Sequence, residues 1–203
     1  PAGEMIRITH DPFGMRISPD GKKAITLHNG VFTVIDLGTM NYTRVPSYDG
    51  KLSSPFSNGS FLGVDFGKTS NIVYLSGGDN GAVLVYDINT MKLLDSISLN
   101  GKVGADVFGD SFTSDLLYND EKNELLVLDR ANYRLVRINL MSKQIEASIA
   151  CGRLPFGLSM SPNKRYAFVA NVGMYAYPLI EGMTEKNYDS LLIPHHPYGD
   201  NTN

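Results

Sequence analysis

The chain has 203 residues, of which 42% are hydrophobic and 19% charged, so it is expected to fold rather than stay disordered, as one sizeable domain or a stack of repeated units. Its net charge of −3 and pI near 5.8 argue against a nucleic-acid-binding face, and no apolar run reaches the ~18 residues that a membrane helix needs. A single cysteine, Cys151, rules out an intrachain disulfide or a cysteine-based metal cage.

In chain order, Glu4-Met5-Ile6-Arg7-Ile8-Thr9 is expected as an opening strand. Pro12-Phe13-Gly14-Met15-Arg16-Ile17 reads as the next strand, and Ser18-Pro19-Asp20-Gly21 as the turn that ends it. Pro presets φ there, Asp bonds its own backbone, and Gly accepts a positive φ. Short β-branched or aromatic runs follow at Ala24–Leu27 and Phe32–Asp36, then a more polar strand at Tyr42–Val45.

The same succession returns with Phe61–Phe66, Ile72–Leu75, Leu84–Asp87 and Leu93–Ile97, and again with Phe112–Tyr118, Leu125–Leu128, Val136–Asn139 and Ile145–Ile149. A further copy opens with Pro155-Phe156-Gly157-Leu158-Ser159-Met160-Ser161-Pro162-Asn163 and continues to Ala167–Ala170. Asp36, Asp87 and Asn139 occupy one repeat position, spaced 51 and 52 residues apart, and the Pro-Phe-Gly signature recurs after 143 residues. Gly77-Gly78-Asp79-Asn80-Gly81 is a hairpin turn in this scheme. A strand follows it where a phosphate loop needs a helix, and one carboxylate is too few for a calcium loop.

Four short strands in about 50 residues is the cadence of a propeller blade, in which neighbouring sheets bury each other's faces. The fold class expected is therefore all-β, a β-propeller of four-stranded blades. Residues 1–203 form one such domain or part of one, with repeats at about 10–58, 59–109, 110–152 and 153–180 and a connecting segment at 181–203. Asp36 and Asp87 are expected to bond amides of their own hairpins, and Gly14 and Gly157 to mark close approaches of backbone near the axis.

The stretch Pro12 to Lys22, the strand Val169-Ala170-Asn171, the strand Val34-Ile35-Asp36 and the hairpin Thr90-Met91-Lys92 together resemble the YVTN-type β-propeller repeat of the YncE-like family over about residues 4–180. Phe66-Gly67-Lys68 lacks the Ser-Pro-Asp-Gly turn, and Asn139 replaces Asp, as tolerated turn variation. The resemblance implies a ring of seven blades, of which this chain supplies about four, in an extracytoplasmic (periplasmic or secreted) protein. It is similar to bacterial proteins in which a propeller precedes an alkaline-phosphatase-like phosphoesterase domain. The chain then reads as a fragment or trimmed product, its open edges expected to be covered by a protein partner or by the missing remainder of the propeller. Closure as a four-bladed ring is the alternative.

No catalytic set is recognised, and no cofactor is expected. His195 and His196, between two prolines, are weak metal candidates because neighbours on an extended strand point to opposite faces. A small ligand at the channel mouth would meet loop residues, since loops carry function on rigid scaffolds. That reasoning selects His10, Asp11, His28, Asn29, Asp79, Asn80, Arg130, Asn132, Asn171 and Tyr175. The function expected is a non-catalytic scaffold for ligand or protein binding; a lactonase-like hydrolase acting at the channel mouth is the alternative. Neither a nucleic-acid partner nor membrane insertion is expected.

Overall fold

The structure is a computed structural model and describes residues 3, 5–9, 11–56, 60, 62–173, 182 and 187. Its first sheet runs in simple meander order through β1 (Gly14–Ile17), β2 (Lys23–His28), β3 (Val31–Asp36) and β4 (Tyr42–Val45). The second repeats that order with β5 (Val64–Phe66), β6 (Ile72–Ser76), β7 (Ala82–Asp87) and β8 (Lys92–Ser98). A two-stranded hairpin follows, β9 (Gly101–Val103) and β10 (Asp106–Phe108). The third four-stranded sheet comprises β11 (Thr113–Asn119), β12 (Glu124–Asp129), β13 (Arg134–Asn139) and β14 (Gln144–Ala150), and β15 (Arg153–Met160) pairs with β16 (Ala167–Gly173) to end the described strands.

Every strand pair within these sheets is antiparallel, and the inner strands are the most buried. Outermost strands alternate exposed and covered residues, as β8 and β14 do, because one face looks to solvent. The strand period of two divides the core. On β6, Val73 and Leu75 face the first sheet with Ile25, Leu27, Phe32 and Phe66, whereas Tyr74 faces the third with Leu116, Leu125 and Val136. A smaller cluster of Leu126, Leu128, Leu135 and Leu158 joins the third sheet to β15. Each sheet thus buries its faces against its sequence neighbours, which is the arrangement of propeller blades.

Turn chemistry fixes the hairpins. Asp36 Oδ1 accepts from the amides of Gly38 and Thr39 at 3.0 and 2.8 Å and from the Thr39 hydroxyl at 2.9 Å. Asp87 accepts from Asn89 and Thr90 in the same way, and Asn139, with its amide oxygen, from Met141 and Ser142. These turns are as expected, and Asn139 shows why Asp is replaceable: the turn needs an acceptor, not a charge. A second device caps the β1–β2 and β15–β16 hairpins at this end and recurs after β4 at the other. Ser18 donates to Asp20 at 2.6 Å while accepting from Lys23 N at 2.9 Å, and Ser47 with Asp49 and Ser161 with Asn163 repeat it. The Ser18 hydroxyl, and then the Lys22 amide, draw the exposed Asp20 carboxyl down to about 2.

First strands stack side by side, β1 on β5, β5 on β11 and β11 on β15. Their approach is close enough to need glycine: a Cβ on Gly14 would lie 1.9 Å from Leu62 O, and one on Gly63 would lie 2.9 Å from Asp115 Cα. At the corresponding place in the third sheet Ser114 donates to Pro155 O at 3.0 Å instead.

Two expectations are corrected. Among the described residues 5–9 there is no strand, so no opening strand forms there; the paired β1 edge begins only at Gly14. Among the described residues Gly157 marks no close approach, because the one atom a Cβ there would meet is Ala170 Cβ of its own sheet, at 3.8 Å. Its free side has no neighbouring first strand among the described residues. The hairpin β9–β10 was not anticipated; Gly101–Phe108 is too polar and too short to register as strands beside the main repeat.

Candidate functional site

The antiparallel meanders put all β2–β3-type turns at one end of the blades, and the eight described candidates lie there, at turns, strand ends or the adjoining segment. His10, Tyr175, His195 and His196 lie outside the described residues. Asp11, His28 and Asn29 come together in one cavity of about 300 Å³, completed by Thr9, Phe13, Val31 and Arg44. His28 is the last residue of β2 and is buried; its Nε2 lies 3.1 Å from Thr26 Oγ1 and its carbonyl accepts from the Ser60 hydroxyl. Asn29 is exposed in the turn after it, and Asp11 enters the left-handed region with φ of 53°. Arg44 projects from β4, donates to Pro46 O and lies 4.5 Å from the centre of the Tyr48 ring.

The other candidates serve the fold. Asn80 accepts from Ala82 N at 3.0 Å within the glycine-rich turn, and Gly78 N donates to Thr113 Oγ1 at 2.8 Å, tying this turn to the third sheet. Asp79 is exposed at the tip. Arg130 stacks over the Phe112 ring, and Asn171 donates to Val169 O. Asn132 donates to Gly109 O, Ser111 Oγ and Asp129 Oδ2, which makes it part of a buried polar knot.

At the centre of that knot is an ion pair that sequence reasoning missed. Arg134 Nε meets Asp129 Oδ2 at 2.8 Å, with the side chains 1% and 0% exposed. Arg134 also donates to Leu99 O at 2.7 Å and lies 3.6 Å from the centre of the Phe108 ring. Asp129 in turn accepts from Phe112 N at 3.0 Å. The arginine therefore fastens the β9–β10 insertion to the third blade. The sequence shows only a charged residue in a strand, Arg134-Leu135-Val136, and its partners Asp129, Leu99 and Phe108 come together through the fold.

Two further carboxylates sit on first strands, Asp115 buried and Asp65 half-buried. Asp65 Oδ2 accepts from Tyr118 N and Asp115 Oδ2 from Leu158 N, each at 2.8 Å, so each carboxylate bonds an inner-edge amide of the next blade. Burial pushes both above the usual carboxylate range, against the pull of those amides and of Arg16, whose Nε lies 3.8 Å from Asp65 Oδ1. A hollow of about 490 Å³ beside them is bordered by Arg16, Asp115, Ser159 and Phe168. On the outer rim, a polar cleft of about 270 Å³ between β8, β9 and β14 is crossed by the Lys143–Asp95 ion pair. The Cys151 thiol, half-buried after β14, is raised by burial, unlike an activated nucleophile.

No protein-family profile matches this sequence, and no curated protein sequence does. Among solved structures the fold is similar to that of hydrazine synthase from Kuenenia stuttgartiensis, a β-propeller-containing protein, with 17% sequence identity and a TM-score of 0.62. The match covers 84% of this chain and 47% of that one, so the chain spans about half the length of its neighbour. At this identity the likeness establishes fold: the four-stranded sheets are propeller blades.

Proposed function

We propose that this chain is a binding scaffold, a run of YVTN-type, YncE-like blades that works without chemistry of its own and docks against further blades or a protein partner. The observation that carries the reading is the uncovered face of the first blade. Met15 is 59% exposed, whereas its counterparts Val64, Leu116 and Leu158 are 1%, 0% and 7% exposed because a preceding blade covers each of them. Phe13 and Ile17 share the Met15 face and are as exposed as it is. A contiguous apolar stripe of this kind marks an interaction surface.

The Ser18-Pro19-Asp20-Gly21 turn and its Ser161-Pro162-Asn163 copy support the YVTN assignment, and with it a setting in an extracytoplasmic protein with a phosphoesterase domain elsewhere. Two measurements test the proposal. Light scattering should find concentration-dependent association of the wild-type chain that Met15→Asp with Ile17→Asp abolishes, and assays with lactones and phosphate monoesters should find no turnover. A strictly monomeric wild-type chain, or turnover above background lost in a variant of the His28 cavity, overturns it; the second result would favour a lactonase-like hydrolase.

A further inference from the structure

Successive blades of this chain meet in one way. The forward side of a blade, looking along the chain, offers alternate residues of its second strand, as β2 offers Ile25 and Leu27. The next blade answers with the backward side of its first strand, Val64 and Phe66 of β5. The pattern recurs where Leu126 and Leu128 of β12 meet Leu158 of β15. Forward and backward sides are thus complementary halves of one kind of interface.

Among the described residues one half of each kind is left over. The backward half is the exposed Met15 and Ile17 side of β1. The forward half is on β16. Phe168 is 60% exposed, whereas Ile25, Tyr74 and Leu126, which hold its place in the other blades, are 0%, 8% and 8% exposed. Val172 lies on the same side of β16 and is equally exposed, while Val169, on the opposite side, packs with Leu126 and Leu128.

Backbone spacing agrees. Gly14 and Gly63 each lie against backbone at the first strand of the next blade, where a Cβ would collide. Gly157 holds the same place on β15, pairing with Ala170 as Gly14 pairs with Leu27. The one atom a Cβ there would meet among the described residues is Ala170 Cβ, at 3.8 Å, so β15 keeps room for a further first strand.

We infer that the chain binds a second copy of itself head to tail, the Phe168 side of one copy's β16 stacked on the Met15 side of the other's β1. The inference rests on the scaffold reading and names a partner for its uncovered face. What fits the Met15 side is the forward side of a blade, and this chain carries an unused one. A pair joined through two Met15 sides would set two backward halves together, a contact that no interface within the chain makes, and would leave Phe168 and Val172 in water.

The test blocks one half at a time, with Met15→Asp plus Ile17→Asp in one variant and Phe168→Asp plus Val172→Asp in the other. Sedimentation velocity of either variant alone should show self-association weakened by about a hundredfold or more, because a carboxylate set into an apolar contact stays unpaired. Mixed in equal amounts, the two should form a complex of twice the chain's mass, since each retains the half that the other has lost. That complex also shows both variants to be folded. Gly157→Ala should weaken association by about tenfold and leave the circular dichroism spectrum unchanged. Association of the Phe168→Asp, Val172→Asp variant at wild-type strength, no complex in the mixture, or wild-type association of Gly157→Ala overturns the inference. Each of these leaves the scaffold reading intact, because that reading needs the Met15 side covered but not by Phe168. A wild-type chain that stays monomeric up to about 500 μM overturns both.

Discussion

Replacing Asp129 by alanine should be among the most damaging single changes in the third blade. The substitution removes the carboxylate that faces Arg134 Nε at 2.8 Å, and with it the acceptor for Phe112 N and Asn132 Nδ2. Arg134, 1% exposed, keeps its bonds to Leu99 O and the Ser111 hydroxyl but not its counter-charge. Breaking a buried pair from one side costs about 3–5 kcal/mol, because an uncompensated charge remains in the interior. For a domain of this size that corresponds to a fall in melting temperature of roughly 6–20 °C. Urea unfolding followed by circular dichroism measures the cost. The double variant Asp129→Ala with Arg134→Met should lose distinctly less than the two single losses added together, since no buried charge is left. Loss of less than about 1 kcal/mol in Asp129→Ala, or strict additivity in the double variant, would refute the argument that the pair is desolvated and coupled.

Other outcomes follow from the same geometry. Gly14→Ala forces a Cβ against Leu62 O and should cost about 1–3 kcal/mol or more, whereas Gly157→Ala should be close to neutral; thermal melting of the two separates them. Asp115 is raised by burial, so its contribution to stability is fully present below the ordinary carboxylate pKa and is lost as pH rises through the raised folded value. Asp115→Asn should therefore gain stability relative to wild type between about pH 4 and 7, read from urea midpoints across that range; a difference flat in pH would count against a buried ionised carboxylate. Asp36→Ala removes the acceptor for three hairpin donors and should lower the melting temperature, while Asn139→Asp should leave it unchanged, because the acceptor remains.

The repeat was legible because it is written several times over. The apolar runs at Ala24–Leu27, Ile72–Leu75 and Leu125–Leu128 lie within β2, β6 and β12, and the Asp36, Asp87 and Asn139 turns bond as their chemistry dictates. What escaped was single-copy or nonlocal. The β9–β10 hairpin occurs once, so no periodicity announces it. Asp65 and Asp115 look like ordinary polar alternation along a strand, and only the neighbouring blade's amide explains their inward placement. Gly157 copies Gly14 in sequence, but a close approach needs a second strand to approach. Of the candidate residues, Asp11, His28 and Asn29 converge because β1 pairs with β2 and brings the segment before it beside the β2–β3 turn, whereas Asn132 was drawn into the Asp129 knot by an arginine whose role no local pattern displays.

The division of the interior between successive sheets also has a mechanical corollary. Among the described residues the first interface gathers thirteen buried apolar side chains, the second nine, and the third four. Because each sheet leans only on its sequence neighbours, a cavity cut into one interface should weaken that interface and leave the next one in place. Truncating Leu27 or Leu75 should therefore loosen the first two sheets from each other while the contact of Tyr74 with Leu116 and Leu125 persists.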